Sequence, residues 1–252
     1  MITDSCVILG SGNSLQAGIA LGLWKSLDNQ VTIVINDLFQ VYEGTCIVFG
    51  DWTFYRDRFD LLKTKPLIIG RSDGAFVRKD KKGQPLCPKA DNTFLIKSSS
   101  KYHGINSIKE GCYTGILTGI FTISLAIGLG FKIIYLLGMD NCEVNNKTHV
   151  YQDSNLKPLT DEEGKVRTGI GKNKENLYKS GIYNKTDEQL NRFWLPFLEQ
   201  KDVKILNVSP ESRINIFKKL TYPEFLSQLT PNNLSQDIFR VHIQECIESQ
   251  LK

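Results

Sequence analysis

Seven short apolar runs punctuate the chain: CVILG, VTIVIN, TCIVFG, PLIIG, TFLI, KIIYLLGMD and VKILNVS. Most are continuous, without the apolar–polar alternation of a half-exposed strand. Strands buried on both faces read this way, which predicts a mainly parallel sheet under helices. Between the first two runs lies NSLQAGIALGLWKSLDNQ, long enough for one crossover helix from about Ser14 to Leu27. That makes a βαβ unit at the N-terminus. GILTGIFTISLAIGLG is apolar nearly all round and predicts a buried helix feeding the KIIYLLG strand. A further helix is expected over Thr186 to Gln200. There Leu190, Phe193, Trp194, Phe197 and Leu198 repeat at helical spacing, and Thr186 and Gln189 suit a capping box. Pro196 falls inside it and should kink it or stop it short. The tail from Leu234 to Leu251 reads as an amphipathic helix with Leu234, Ile238, Val241 and Ile247 as its apolar stripe.

Two segments stand outside this pattern. One is the charged loop RSDGAFVRKDKKGQPLCPKADN. The other is residues 141–185, rich in Asn, Lys, Asp and Gly. Long polar insertions in compact domains tend to be lids or unstructured, and 141–185 is expected to be a lid that closes over ligand. The expected architecture is α/β: a Rossmann-like, mainly parallel sheet with helices on both faces, plus a polar lid segment. It fills a single domain over 1–252, with a C-terminal helix at about 234–251.

Composition narrows the class. At 252 residues and 41% apolar content the chain can build a full core. A net charge of +4 suits an anionic substrate but is too weak to argue for nucleic acid. Cys6, Cys46, Cys87, Cys112, Cys142 and Cys246 form no CxxC pair, and several sit in apolar runs. They read as buried thiols in a reducing compartment. No signal-peptide pattern is visible, and the longest apolar stretch is shorter than a membrane span and carries Thr and Ser. A cytoplasmic protein is expected.

The glycines of LGSGNSL raise the question of a phosphate site. A P-loop is excluded, since GIGKNKEN has no Ser or Thr after its Gly-Lys and no strand before it. A dinucleotide fingerprint needs a third glycine, and Leu15 stands there; Asp37 is the acid such a site would use. A third option keeps the strand–loop–helix geometry and changes the ligand. Backbone N–H groups from Gly10 through Gly12 to Ser14 would point at an anion, with Asn13 and Ser14 adding side-chain donors and capping the helix. The plain alternative is a tight turn with an N-cap. Asn36 ends the second strand beside this loop, where its amide can pair with a base or ribose edge. Asp140 ends the strongest strand, and Gly138 before it permits close backbone approach.

The order and spacing of LGSGNSL, VINDLF and LTGIFTISLAIGLGFKIIYLLGMD, with LNVSPESRINIF near the C-terminus, resemble the bacterial sialyltransferases with the modified GT-A fold. They also resemble two related groups, the motility-associated flagellin glycosyltransferases and the MptE-like 6-hydroxymethylpterin diphosphokinases. The resemblance implies nucleotide-binding roles for Gly12, Asn13, Ser14 and Asn36. It implies a donor-pocket role for Thr118-Gly119, matches Asp140 to the aspartate of the GMD strand, and sets Ser209-Pro210-Glu211-Ser212 against the family's C-terminal serine turn. It further implies tetramer-like self-association, for which the tail stripe is a candidate surface; the alternative is that the stripe packs onto its own domain. The family's general-base histidine is not matched, because Ile182 and Tyr183 occupy that neighbourhood.

Glycosyl transfer needs a stabilised leaving phosphate, a deprotonated acceptor hydroxyl and excluded water. Many transferases hold the phosphate with a metal on a DxD motif, and this chain has no DxD. The expected reaction is therefore metal-independent and cofactor-free. A sugar, a sialic-acid-like one from a CMP donor among the options, moves from a nucleotide sugar to an acceptor hydroxyl of unknown identity. His149 is the expected base by its intrinsic pKa. Tyr183 stands nearest the family's base position, and Tyr151 nearest its phosphate-binding tyrosines; Lys147, Lys172 and Lys174 are candidate phosphate contacts. His103 is a second loop candidate and His242 reads as structural. The alternative is a diphosphokinase using ATP and Mg²⁺ on Asp51 and Asp57, although the His-rich motif of the archaeal relatives is absent. A non-enzymatic nucleotide-binding module is the third reading.

Overall fold

The computed structural model describes residues 3–72, 88–100, 107–115, 117–147, 149–150, 185–230 and 233–252. All seven apolar runs are strands: β1 (Ser5–Leu9), β2 (Thr32–Ile35), β3 (Cys46–Phe49), β4 (Ile68–Arg71), β5 (Thr93–Ile96), β8 (Ile133–Leu137) and β9 (Lys204–Asn207). A two-residue strand, β10 (Lys218–Lys219), joins them at one edge. The sheet runs β10-β9-β8-β1-β2-β3-β4-β5, and every pairing in it is parallel. Two further short strands, β6 (Ser98–Ser99) and β7 (Cys112–Tyr113), pair apart from it. The expected α/β, Rossmann-like architecture is therefore correct.

Continuous apolar runs are explained by cover on both faces. Cys6, Ile8, Ile33, Val48, Ile134 and Leu136 point to one face, under α5 (Thr118–Gly128) and α8 (Gln236–Leu251). Val7, Leu9, Val34, Ile47 and Leu137 point to the other. That face lies under α1 (Leu15–Ala20), α2 (Leu23–Leu27), α3 (Trp52–Asp57) and α7 (Tyr222–Gln228). α5 is buried from Ile120 to Gly128, as its all-round apolar sequence predicts. A short α4 (Phe59–Leu62) follows α3. Cys46 and Cys112 are buried thiols whose pKa values burial pushes up to about 12, so they are inert packing groups. Among the described residues no helix is long and apolar enough to cross a membrane.

Three helix expectations are corrected. The Ser14–Leu27 helix is two helices, broken where Gly22 adopts φ 80°, a left-handed conformation that ends α1. The Thr186–Gln200 helix stops at Asn191: α6 (Asp187–Asn191) is followed by a 3₁₀ turn over Leu195–Glu199, in whose first turn Pro196 sits. Its Thr186–Gln189 capping box is present. In the tail, the buried stripe is Phe239, Ile243 and Ile247, four residues apart. Ile238 and Val241, read from sequence as part of the apolar stripe, lie 47% and 56% exposed. Of the expected lid only 141–147, 149–150 and 185 are described; its closure lies outside the described residues.

Candidate functional site

From β1 the chain winds outward one way to β5, and then returns to place β8, β9 and β10 on the other side of β1. The direction of winding reverses between β1 and β8. The loops leaving the two strands diverge there, and an open parallel sheet has its ligand crevice at that point, beyond the strand carboxyl ends. A cleft of about 230 Å³ occupies it. It is lined by Gly10, Ser11 and Gly12 after β1, Ile35 and Asn36 at the end of β2, and Gly138 to Asn141 after β8. Leu117, Thr118 and Gly119 at the start of α5 complete it, with His149 and Trp194. Sequence segments more than a hundred residues apart thus meet, and three of the four segments that carry the resemblance are among them.

The glycines serve close backbone approach. A Cβ on Gly10 would lie 2.5 Å from the carbonyl oxygen of Gly138, and one on Gly12 the same distance from an Asp140 carboxylate oxygen. Leu15, which takes the place of the third fingerprint glycine, is fully buried. Room for it comes from the opposite wall: Gly138, at φ 62°, would bring a Cβ within 2.8 Å of Leu15 Cγ. The helix–strand contact is kept with its small and large partners exchanged.

In the expected anion nest at Gly10–Ser14, the N–H groups of Gly10, Gly12 and Ser14 are engaged within the protein. The Gly10 N–H donates to Leu137 O and the Gly12 N–H to Gly138 O. The Ser14 N–H and hydroxyl both donate to the Asp140 carboxylate, at 2.9 and 2.5 Å. Ser14 occupies the N-cap position of α1 but makes no side-chain cap bond. Asn13 donates to Val144 O at 2.9 Å. Neither Asn13 nor Ser14 lines the cleft. In the free protein both fasten loop β1–α1 against loop β8. A buried carboxylate must be hydrogen-bonded, and the Ser14 amide and hydroxyl are the nearest donors. Burial raises the Asp140 pKa above its ordinary value, against the lowering effect of these Ser14 bonds. Ser209 joins the same network, 2.8 Å from the Ser14 hydroxyl, and the Ser212 hydroxyl donates to Met139 O. The SPES turn therefore buttresses the loop from below.

The helix end prepared for an anion is that of α5. Leu117 at its N-cap has no polar side chain to offer, so the first N–H groups of an eleven-residue helix go uncapped at the cleft. Thr118 approaches closely because Gly50 has no side chain: a Cβ there would stand 2.8 Å from Thr118 Oγ1.

Three side-chain polar atoms of cleft residues are buried without a hydrogen-bond partner: Asn36 Oδ1, Asn141 Nδ2 and the Trp194 indole Nε1. Asn36 and Asn141 both adopt left-handed backbone, at φ 50° and 53°. Asparagine tolerates that conformation better than most residues, and strained positions of this kind cluster at functional sites. Asn141 and Trp194 were missed from sequence as site residues. Asn141 follows the expected Asp140, so its position at a strand end was the available signal. Trp194 sits in an apolar helical repeat and gave none.

His149 borders the cleft, and burial lowers its pKa to about 4. It is neutral at physiological pH in the free protein, though below the range of an efficient base. Asp37 is not a ribose ligand; it forms a salt bridge with buried Arg58 at 2.9 Å. Asp51 caps α3 through the Thr53 N–H, and Asp57 pairs with Arg56. Among the described residues no group of three His, Cys, Asp or Glu gathers in a metal-binding arrangement. Lys147 lies outside the residues lining the cleft and bridges Val144 through its backbone. Tyr151, Tyr183, His103, Lys172 and Lys174 lie outside the described residues.

No protein-family model matches the chain, and no curated protein sequence matches it. Among solved structures it is similar to the monofunctional alpha-2,3-sialyltransferase Cst-I from Campylobacter jejuni: TM-score 0.47, 15% identity, 98% of this chain and 96% of that chain. It is also similar to the sialyltransferase CstII from Campylobacter jejuni in complex with the substrate analogue CMP-3FNeuAc (TM-score 0.46, 15% identity, 93% of each chain). A third is the sialyltransferase CST-II in complex with trisaccharide acceptor and CMP (TM-score 0.46, 17% identity, 92% of this chain and 93% of that chain).

Proposed function

We propose that the chain is a metal-independent glycosyltransferase that moves a sialic-acid-like sugar from a CMP donor to an acceptor hydroxyl. One observation carries this reading. Three of the four sequence blocks that resemble the bacterial sialyltransferases, far apart in the chain, line one cleft at the point where the sheet reverses its winding. In this reading Asn36 pairs through its amide with the nucleoside. The uncapped start of α5 meets the anionic oxygens, through Thr118 and the first helical N–H groups. Gly10, Gly12, Gly119 and Gly138 let the loops and the start of α5 pack closely around the cleft, and Asp140 holds the two loops in register. His149 borders the reacting region. A bound phosphate restores part of its basicity, because a neighbouring negative charge favours the imidazolium. Tyr151 and Tyr183 remain proposed contributors to phosphate binding and proton transfer.

The test is a thermal-shift panel of CMP, CMP-linked sugars, other nucleotides and ATP, each with and without Mg²⁺. Ligand at a hundred times Kd stabilises the folded state by about 2.7 kcal/mol, which raises Tm by roughly 5–10 °C at this chain length. Cytidine nucleotides are expected to stabilise without Mg²⁺. Stabilisation by ATP alone, and only with Mg²⁺, would replace this reading with the diphosphokinase one.

A further inference from the structure

Trp194 is nearly fully buried, at 1% exposure, yet its indole N–H has no hydrogen-bond partner and the residue borders the cleft. An indole N–H only donates, and an unmet buried donor costs about 1–3 kcal/mol. Packing alone does not require a tryptophan here: the ring stands edge-on to Phe217, 6.4 Å between centroids, as a phenylalanine would. Position supplies the second observation. A Cβ on Gly119 would come 3.3 Å from Trp194 Cη2, so the indole lies against the first turn of α5, the uncapped helix end. The same cleft presents a second orphaned donor, Asn141 Nδ2. No lysine or arginine is among the described residues that line it.

We infer that Trp194 is a substrate-contacting residue whose indole N–H donates to an anionic oxygen of the bound nucleotide sugar, with Asn141 as a second neutral donor. The inference rests on the nucleotide-sugar reading and deepens it. Negative charge at this site is met by neutral N–H groups aligned with the α5 dipole, where other transferases use a metal. The backbone that carries the ring is held in place, with the Trp194 N–H donating to Asn191 O at 2.9 Å. Arg213 pairs with Asp187 at 2.7 Å, and the Asn215 N–H donates to Asn191 Oδ1, tying α6 to the segment after β9. The oxygen belongs either to the nucleotide phosphate or to a sugar carboxylate.

Cytidine, CMP and CMP-3FNeuAc separate these sources by calorimetry on the wild-type chain and on Trp194→Phe. Loss of about tenfold or more in affinity for CMP and CMP-3FNeuAc, with cytidine unchanged, assigns the phosphate. Loss for CMP-3FNeuAc alone assigns the sugar carboxylate. Equal loss for all three ligands, or for none, overturns the inference. A second measurement avoids any folding defect of the variant. The chain has three tryptophans, and in ¹⁵N-labelled wild-type protein the indole N–H resonance absent from Trp194→Phe is expected to move downfield when ligand binds. A resonance that stays in place while CMP-3FNeuAc binds overturns the role of Trp194 and leaves the nucleotide reading standing. Failure of the wild-type chain to bind any of the three overturns both.

Discussion

His149 makes the cleft a measurable pH sensor. Its pKa falls from the ordinary 6.5 to about 4, because burial penalises the imidazolium. The unfolded chain protonates first as pH drops, and the folded chain resists. The histidine therefore contributes stability that is fully present above about pH 6.5 and is lost as pH falls towards 4. A depression of this size makes protonation of the folded state harder by about 3 kcal/mol in all. At pH 5 the loss relative to pH 7.5 is about 2 kcal/mol, because most but not all of the window has been crossed. Urea unfolding at the two pH values measures it, and His149→Gln supplies the control. Gln keeps an amide for hydrogen bonding but has no proton to gain, while every other titrating group is common to both proteins. The wild type should lose about 2 kcal/mol more than the variant between pH 7.5 and 5. Parallel losses would mean that His149 is not buried in the neutral form, and the account of the cleft wall fails. The same physics predicts that CMP binds the wild type more tightly at pH 5.5 than at 7.5, beyond any change seen in the variant, since an oxyanion favours the protonated ring.

The other predictions concern the cleft's backbone and its fastening. Asn36→Gly preserves the φ 50° backbone and removes only the amide, so calorimetry should show nucleotide affinity weaker by about 1–3 kcal/mol; unchanged affinity takes Asn36 out of the site. Gly12→Ala places a methyl 2.5 Å from the Asp140 carboxylate and should lower stability by about 1–3 kcal/mol in urea, whereas a neutral result would mean that the two loops are not in contact. Ser14→Ala and Asp140→Asn should be non-additive by at least about 0.5 kcal/mol, because they remove the two sides of one hydrogen-bonded pair; an additive double-mutant cycle refutes the pairing.

Much of the sheet was legible because its strands are buried on both faces, and burial writes itself as continuous runs such as CIVF and IIYLL. α5 was legible for the same reason. What misled were features that depend on the partner element. Ser14 reads as an N-cap, since Ser before a helix usually is one. Its hydroxyl instead donates to the buried Asp140 carboxylate after β8, and only the fold brings the two together across 126 positions. The tail stripe was right at Ile247 and Leu234 and wrong at its two middle members. Ile238 and Val241 share a helix surface, but the groove beside α5 takes Phe239, Ile243 and Ile247. The candidate residues at strand ends, Asn36, Gly138 and Asp140, do line the cleft, and chain topology alone locates such positions. Trp194 was hidden because an aromatic in an apolar repeat carries no sign of an unpaired N–H.

The arrangement around Asp140 explains how a cleft can handle anions with a buried carboxylate in its wall. A free carboxylate there would repel a phosphate. Both of its oxygens instead accept from Ser14, and the Ser14 hydroxyl lies 2.8 Å from that of Ser209, so its charge is turned into the protein. The backbone of the same residue is fixed from the other side, where the Arg213 N–H donates to its carbonyl oxygen at 2.9 Å. In the proposed function Asp140 thus acts through geometry. It sets the separation of the β1 and β8 loops, and with it the position of Gly10, Gly12 and Gly138 against the start of α5. An electrostatic site made of neutral donors works only if those donors are held in place before the charge arrives, since reorientation would consume the stabilisation they give. The buried Ser14–Asp140–Ser209 network supplies that rigidity at the point where the sheet itself opens, and each of its members is contributed by a different strand end.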